Sequence, residues 1–342
     1  MTEPPTKTSE TKAAYLRRAE QLKASIERAL GRKCTVTQFA DALIETKRPH
    51  LSAATWRQYR SAACYGLERH CVATPELKDE IDVALARLRT TPPCKKVDGA
   101  ARTSQQKSKK LPVDDLVAIQ YFVLAGQSPK RQALADYLTA ADLTGLRPCE
   151  WRRAQLRKSA VPGFEWELVV LCAKRTNGRS HGDSRTLRFV ELDPHLVATV
   201  MRWLHVAQEA EKAGTYHKLS KALGTLMHDC CMELFSRRKQ RPTMYTPRHQ
   251  AGARWKAHYV KPDATPEEQE LGRTIVAALL GHGTDETATR HYARPGQAER
   301  ASSGLPIPVA DPAEVARVRH TFAAKLEAKA SRATRSPTDR RL

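Results

Sequence analysis

Two arginines in this chain stand at the heads of helix-forming segments, where backbone N–H groups and the helix dipole favour an anion. In Thr144-Gly145-Leu146-Arg147-Pro148-Cys149-Glu150-Trp151 the first follows a glycine turn and precedes a helix expected to open at Pro148. In Tyr245-Thr246-Pro247-Arg248-His249-Gln250 the second falls in the first turn of another helix. A third box, Leu279-Leu280-Gly281-His282-Gly283-Thr284, ends an apolar helix at Gly281 and restarts toward His291-Tyr292. Each box alone has an ordinary explanation: an ion pair for either arginine, a core or rim ring for Tyr292.

The elements that must position these residues follow from periodicity. Leu16, Ala19, Leu22, Ile26 and Leu30 recur at helical steps between Thr11 and Leu30. Helices are also predicted over Thr37–Glu45, over Ala53–His70 with Ser52 as cap, and after Thr74-Pro75, with Thr74 as cap and Ile81, Leu85 and Leu88 inward. Residues 91–110 hold almost no large apolar side chain and a dense positive charge, which reads as a linker laid along nucleic acid or a solvated spacer. From Leu111 the pattern is helical to about Leu143, and then the period changes. Glu165–Lys174 and Arg185–Leu192 are β-branched and aromatic runs separated by turn residues, a β-hairpin within a helical domain. Helical patterns return at Leu196–Ala210, Leu219–Phe235, Pro247–Tyr259 and Glu267–Leu280, and a last amphipathic stretch runs from Asp311.

Composition restricts the chemistry. The 342 residues carry 58 Lys and Arg against 37 Asp and Glu, a net charge of +21, which points to a polyanionic partner. Hydrophobic residues at 41% with only 16 Gly exclude a mostly disordered or collagen-like chain. The eight cysteines have no CxxC pairing, so reduced thiols are expected and neither structural zinc nor a disulfide scaffold is. There is no GxxxxGK[ST] and no GxGxxG, so chemistry without ATP hydrolysis is predicted. The polar start and the lack of a long apolar run predict no membrane span and a cytoplasmic, nucleoid-associated protein.

Taken in order, the three boxes resemble the tyrosine recombinase (phage-type integrase) family. The resemblance implies a mainly α fold with a small β-sheet (α+β): an N-terminal helical, SAM-like core-binding domain over 1–90, a basic linker over 91–110, a catalytic domain over 111–300 and a C-terminal tail over 301–342. It makes Arg147 and Arg248 the phosphate-clamping arginines, His282 the histidine of the Leu-Gly-His box and Tyr292 the nucleophile. Ala173-Lys174-Arg175-Thr176 is similar to the family's lysine-bearing hairpin, which nominates Lys174. Two positions depart from the pattern. Tyr245 stands where a His or Lys is usual, and a phenol of pKa ~10 is a poor base at neutral pH; the role is then relaxed, met by a Tyr245 hydrogen bond, or taken by His249. Tyr292 also follows His282 by one residue more than the usual spacing, which the intervening turn can absorb.

The implied activity is site-specific DNA strand cleavage and rejoining through a 3′-phosphotyrosine. Arginines grip the nonbridging oxygens, Lys174 protonates the departing 5′ oxygen, and His282 hydrogen-bonds the phosphate. Because the ester bond is retained on the tyrosine, no cofactor or metal is expected. The implied partners are double-stranded DNA at attachment-type sites, a homotetramer assembled on that DNA with tail helix Ala313–Ala324 docking on a neighbour, and accessory DNA-bending proteins. The alternatives are a type IB topoisomerase-like enzyme and a non-catalytic DNA-binding protein on the same scaffold. Arg57, Gln58 and Arg60, off the apolar face of the helix at Ala53–His70, are candidates for groove contact.

Overall fold

The computed structural model describes residues 9–94, 107–173, 182–283 and 304–319. The chain divides into two compact units, Met1–Ala101 and Arg102–Leu342. Among the described residues it is mostly helical with a single four-stranded antiparallel sheet, an α+β fold. No described helix is long and apolar enough to cross a membrane.

The first unit contains α1 (Ser9–Leu30), α2 (Val36–Ala42), α3 (Ala53–Ala73) and α4 (Lys78–Thr90) around a core that includes Ile26, Phe39, Leu43, Trp56, Leu67 and Leu88. Ser52 caps α3 as its sequence predicts, accepting the Thr55 N–H at 3.1 Å. The expected cap at Thr74 does not form. Its ψ of 75° is not the extended geometry of a capping residue, and its hydroxyl donates back to the His70 carbonyl at 2.8 Å, closing α3. A 3-10 turn, Pro75–Leu77, then leads into α4. On the outer face of α3, Arg57 and Gln58 are exposed. Arg60 instead donates to the Thr91 carbonyl at 3.2 Å, so it ties α3 to the end of α4.

In the second unit the continuous helix expected up to Leu143 is two helices, α5 (Val113–Ala125) and α6 (Arg131–Thr144). Gly126 is extended, and Pro129 disfavours a helical residue before it, so the backbone breaks within the polar run 126–132. Helix α6 packs against α7 (Pro194–Lys212) and α9 (Thr246–Tyr259), and α8 (Tyr216–Leu234) and α10 (Pro266–Leu279) complete the helical layer. Tyr137, Trp151 and Trp203 meet edge to face at 5.3 to 6.5 Å beneath the segment that carries Arg147.

The hairpin is formed by β2 (Trp166–Leu171) and β3 (Ser184–Phe189), with Leu168 opposite Leu187. Two further strands, β1 (Gln155–Lys158) and β4 (Val309–Ala310), extend it in the order β1-β2-β3-β4. The linker expected over 91–110 ends sooner on its C-terminal side: Ser108 donates to the Arg241 carbonyl at 2.9 Å, and its own carbonyl accepts from Thr246 at the start of α9. Leu111 is already buried in the core of the second unit. After β4, residues 312–319 are helical and lie on the same core through Val318, while the Glu314 carboxylate accepts the Thr186 N–H at 2.9 Å. The rest of the expected tail helix lies outside the described residues.

Candidate functional site

Arg147 is delivered by the end of α6. Gly145 adopts φ +61°, and a Cβ there would stand 2.7 Å from the Trp255 ring, so both backbone hand and space require glycine. The chain reverses over α9, and Arg147 turns inward. Its backbone N–H and its guanidinium both bond Glu150, at 2.8 and 2.6 Å. The helix expected at Pro148 is a turn followed by a 3-10 segment, Trp151–Arg153, because Glu150 is drawn in to meet Arg147.

Glu150 is the hub. Its two oxygens also accept from Arg185 of β3 at 2.7 and 3.2 Å, and Oε1 takes the Ala173 N–H at 3.3 Å. Arg248, in the first turn of α9, lies 3.9 Å from Oε2. Burial alone would raise the Glu150 pKa, but Arg185, Arg248 and Arg147 outweigh it and hold the carboxyl well below its ordinary range. Exposure is 2% for Glu150, 7% for Arg147 and 0% for both Arg185 and Arg248, so these charges act on one another with little water between them.

Arg248 is fixed by backbone oxygens. Nη1 donates to the Gly145 carbonyl and Nη2 to the Leu280 carbonyl at 2.7 Å. That second carbonyl closes α10, after which Gly281 turns left-handed at φ +64° and presents His282. Nη2 of Arg248 stands 3.3 Å from His282 Nε2. Burial, then the guanidiniums of Arg248, Arg147 and Arg185, push the His282 pKa well below its usual value. The imidazole is neutral at neutral pH and able to hydrogen-bond without adding charge.

Arg147, Arg248 and His282, nominated together by the resemblance, are brought close from the end of α6, the start of α9 and the end of α10. Tyr245 is half-buried at the head of α9 and sets its ring edge to face with His249, centroids 5.3 Å apart. Lys174 and Tyr292 lie outside the described residues. The neighbour of Lys174 is seen: Ala173 is held by Glu150, so the strand end leading to the lysine is tied to the hub.

Sequence reasoning assigned no role to Glu150 or Arg185. A faint signal existed for the second. Along β3 the inward positions are Arg185, Leu187 and Phe189, so an arginine occupies a core slot of an alternating strand. Its partner, Glu150, is 35 residues away, and no local rule joins them.

Chemically, the described side chains gather three buried guanidiniums and a neutral imidazole around one carboxylate. The excess of positive charge suits an oxyanion. The chain matches no protein-family model, and no curated protein aligns with it significantly.

Proposed function

We propose that this protein is a site-specific DNA strand-transfer enzyme of the tyrosine recombinase type, in which Arg147, Arg248 and His282 serve one phosphodiester and Tyr292 attacks it. The observation that carries the reading is the gathering of two arginines and a neutral histidine, each in the box order of that family, about a single carboxylate. A phosphodiester brings one negative charge, and its nonbridging oxygens gain charge as attack proceeds. Guanidiniums that stay charged at any relevant pH suit that task.

In this reading the Tyr292 oxygen bonds to phosphorus as the bond to the 5′ oxygen breaks. The phenol proton passes to water and the departing oxygen takes one from Lys174, the role the resemblance gives it, after which water returns a proton to the lysine. His282 donates a hydrogen bond to a nonbridging oxygen, which its neutral state allows. Reversal by another 5′ hydroxyl reseals the strand and frees the tyrosine. The N-terminal helical unit and the basic segment before Lys107 hold the duplex, and a tetramer on DNA supplies four such sites.

A nicked suicide duplex made from DNA flanking the gene tests this. The wild-type chain forms a covalent protein–DNA adduct and Tyr292→Phe does not; an adduct that survives in Tyr292→Phe removes the assignment. Binding without any adduct would favour the non-catalytic alternative, and relaxation of supercoils by a monomer at no defined site would favour the topoisomerase-like one.

A further inference from the structure

Arg185 is wholly buried, and its donors are spent on the two turns that carry Arg147 and His282. Nε donates to the Leu279 carbonyl at 2.9 Å, at the last turn of α10 before Gly281 and His282. Nη2 and Nη1 reach the two oxygens of Glu150 at 2.7 and 3.2 Å, and Glu150 in turn holds both the backbone and the side chain of Arg147. The space it uses is reserved by the backbone: a Cβ at Gly281 would lie 2.7 Å from Arg185 Nη1. Only a planar fork with donors on three nitrogens spans these acceptors; a lysine ammonium is a single point and cannot.

We propose that Arg185 is a positioning residue that locks the Arg147 turn, through Glu150, and the Gly281–His282 turn, through the Leu279 carbonyl, into one register on strand β3. The proposal rests on the reading above, in which Arg147 and His282 serve the phosphate. Since β3 is also the return strand of the hairpin bearing Lys174, the lock lies where that hairpin meets the two turns. Without Arg185, Glu150 keeps Arg147 and has only Arg248, at 3.9 Å, as a second cation. The carboxylate then draws the two clamping arginines toward itself and away from an incoming phosphate.

The charged groups facing His282 are Arg248 from α9, Arg147 and Glu150 from the turn after α6, and Arg185 from β3. Loss of Arg185 removes one of the cations, so His282 takes up its proton at higher pH. A residue that merely filled space would leave that titration where it is.

The test uses the full chain as wild type, Arg185→Gln and Arg185→Lys. Duplex affinity for the flanking-DNA probe stays at the wild-type level in both variants, while adduct formation slows on the order of 10²-fold, the size of effect expected when reacting groups shift by about 1 Å. The acid limb of the rate profile moves to higher pH. The His282 ring titration, followed by NMR in the DNA-free protein, moves the same way. Arg185→Lys partly restores the titration through its charge but not the rate, because it cannot hold both acceptors. Should Arg185→Gln fail to fold, Arg185→Lys decides: a wild-type rate with an unmoved acid limb overturns the proposal. A wild-type chain that yields no adduct overturns the strand-transfer reading instead; the NMR amide shifts of Arg147, Gly281 and His282 in DNA-free Arg185→Lys then decide, moved if Arg185 holds both turns and unmoved if it does not.

Discussion

Helix α9 carries two buried arginines, Arg248 and Arg254, with opposite surroundings. Arg254 meets Asp142 one to one, with Nη1 at 2.9 Å from Oδ1, and bonds the Asp142 backbone carbonyl as well. Arg248 instead belongs to a group in which three guanidiniums face Glu150. At the first site burial wins: it raises the Asp142 pKa, and Arg254 offsets only part of the effect. At the second the cations win, and Glu150 is held down. Among the described residues, a balanced buried pair joins α6 to α9. The crowded group has more positive than negative charge among its described side chains, an arrangement that an incoming anion stabilises.

That contrast is open to attack, beginning where the effect should be largest. Arg147→Ala or Arg248→Ala lowers the rate of adduct formation about 10³-fold or more, the scale of losing a donor aimed at transition-state charge. Arg254→Met leaves the rate per folded molecule unchanged. If Arg254→Met slows the folded enzyme as much as Arg248→Ala, the two sites do not differ in kind.

Stability should show the reverse ranking. Arg254→Met strands a buried carboxylate and costs about 3–5 kcal/mol in urea unfolding, and Asp142→Leu added to it recovers most of the loss. Failure of the double variant to recover would mean that the pair does more than join two helices.

The two carboxyls should also bend the acid stability curve in opposite directions. Glu150 is depressed in the folded state, so its contribution is complete above its ordinary value of 4.5 and is lost as pH falls below it. Asp142 is raised, so its contribution is complete below its ordinary 3.8 and declines as pH rises. Glu150→Gln therefore flattens the loss of stability below pH 4.5, and Asp142→Asn steepens it. Unfolding midpoints across the acid range decide the matter.

The smallest effect belongs to a carboxyl where burial again prevails. Glu314, held by the Thr186 N–H, is pushed up to about 7 from an ordinary 4.5. Its stabilising protonated form is complete below 4.5 and is lost as pH rises to about 7. Glu314→Gln, which keeps an acceptor and removes the charge, gains roughly 1–2 kcal/mol at pH 8 and almost nothing at pH 4.5, taking ~1.4 kcal/mol per pKa unit as an upper scale. Thermal unfolding at the two pH values measures it.

How much of this could be read in advance depended on the range of the rule. Ser52 capping α3, the Gly281 end of α10 and the alternation of β3 are local, and a few neighbouring residues suffice to see them. The break between α5 and α6 was legible in Gly126, Pro129 and the polar run 126–132, and the helix expected across it overlooked that local signal. Strands β1 and β4 had no signal of their own: Gln155–Lys158 is mostly exposed and Val309–Ala310 is two residues long, so each is a strand only because a neighbour offers its edge. Within the site, the box residues Arg147, Arg248 and His282 were legible only through the resemblance that their boxes carry together. Glu150 and Arg185 were not, since what makes them matter is their contact across 35 positions.

The sequence by itself determined the helical registers, the glycines that end α6 and α10, the arginine just beyond the first end and the histidine just beyond the second, the arginine at the head of α9, and a surplus of charge calling for a polyanion. Only the tertiary structure decided which few of the 58 basic residues share a carboxylate and which hold a pair of their own. The reason is physical. Helix ends and strand faces follow from neighbours along the chain, whereas the energy of a buried charge depends on how far water is excluded and on the charges that packing brings beside it.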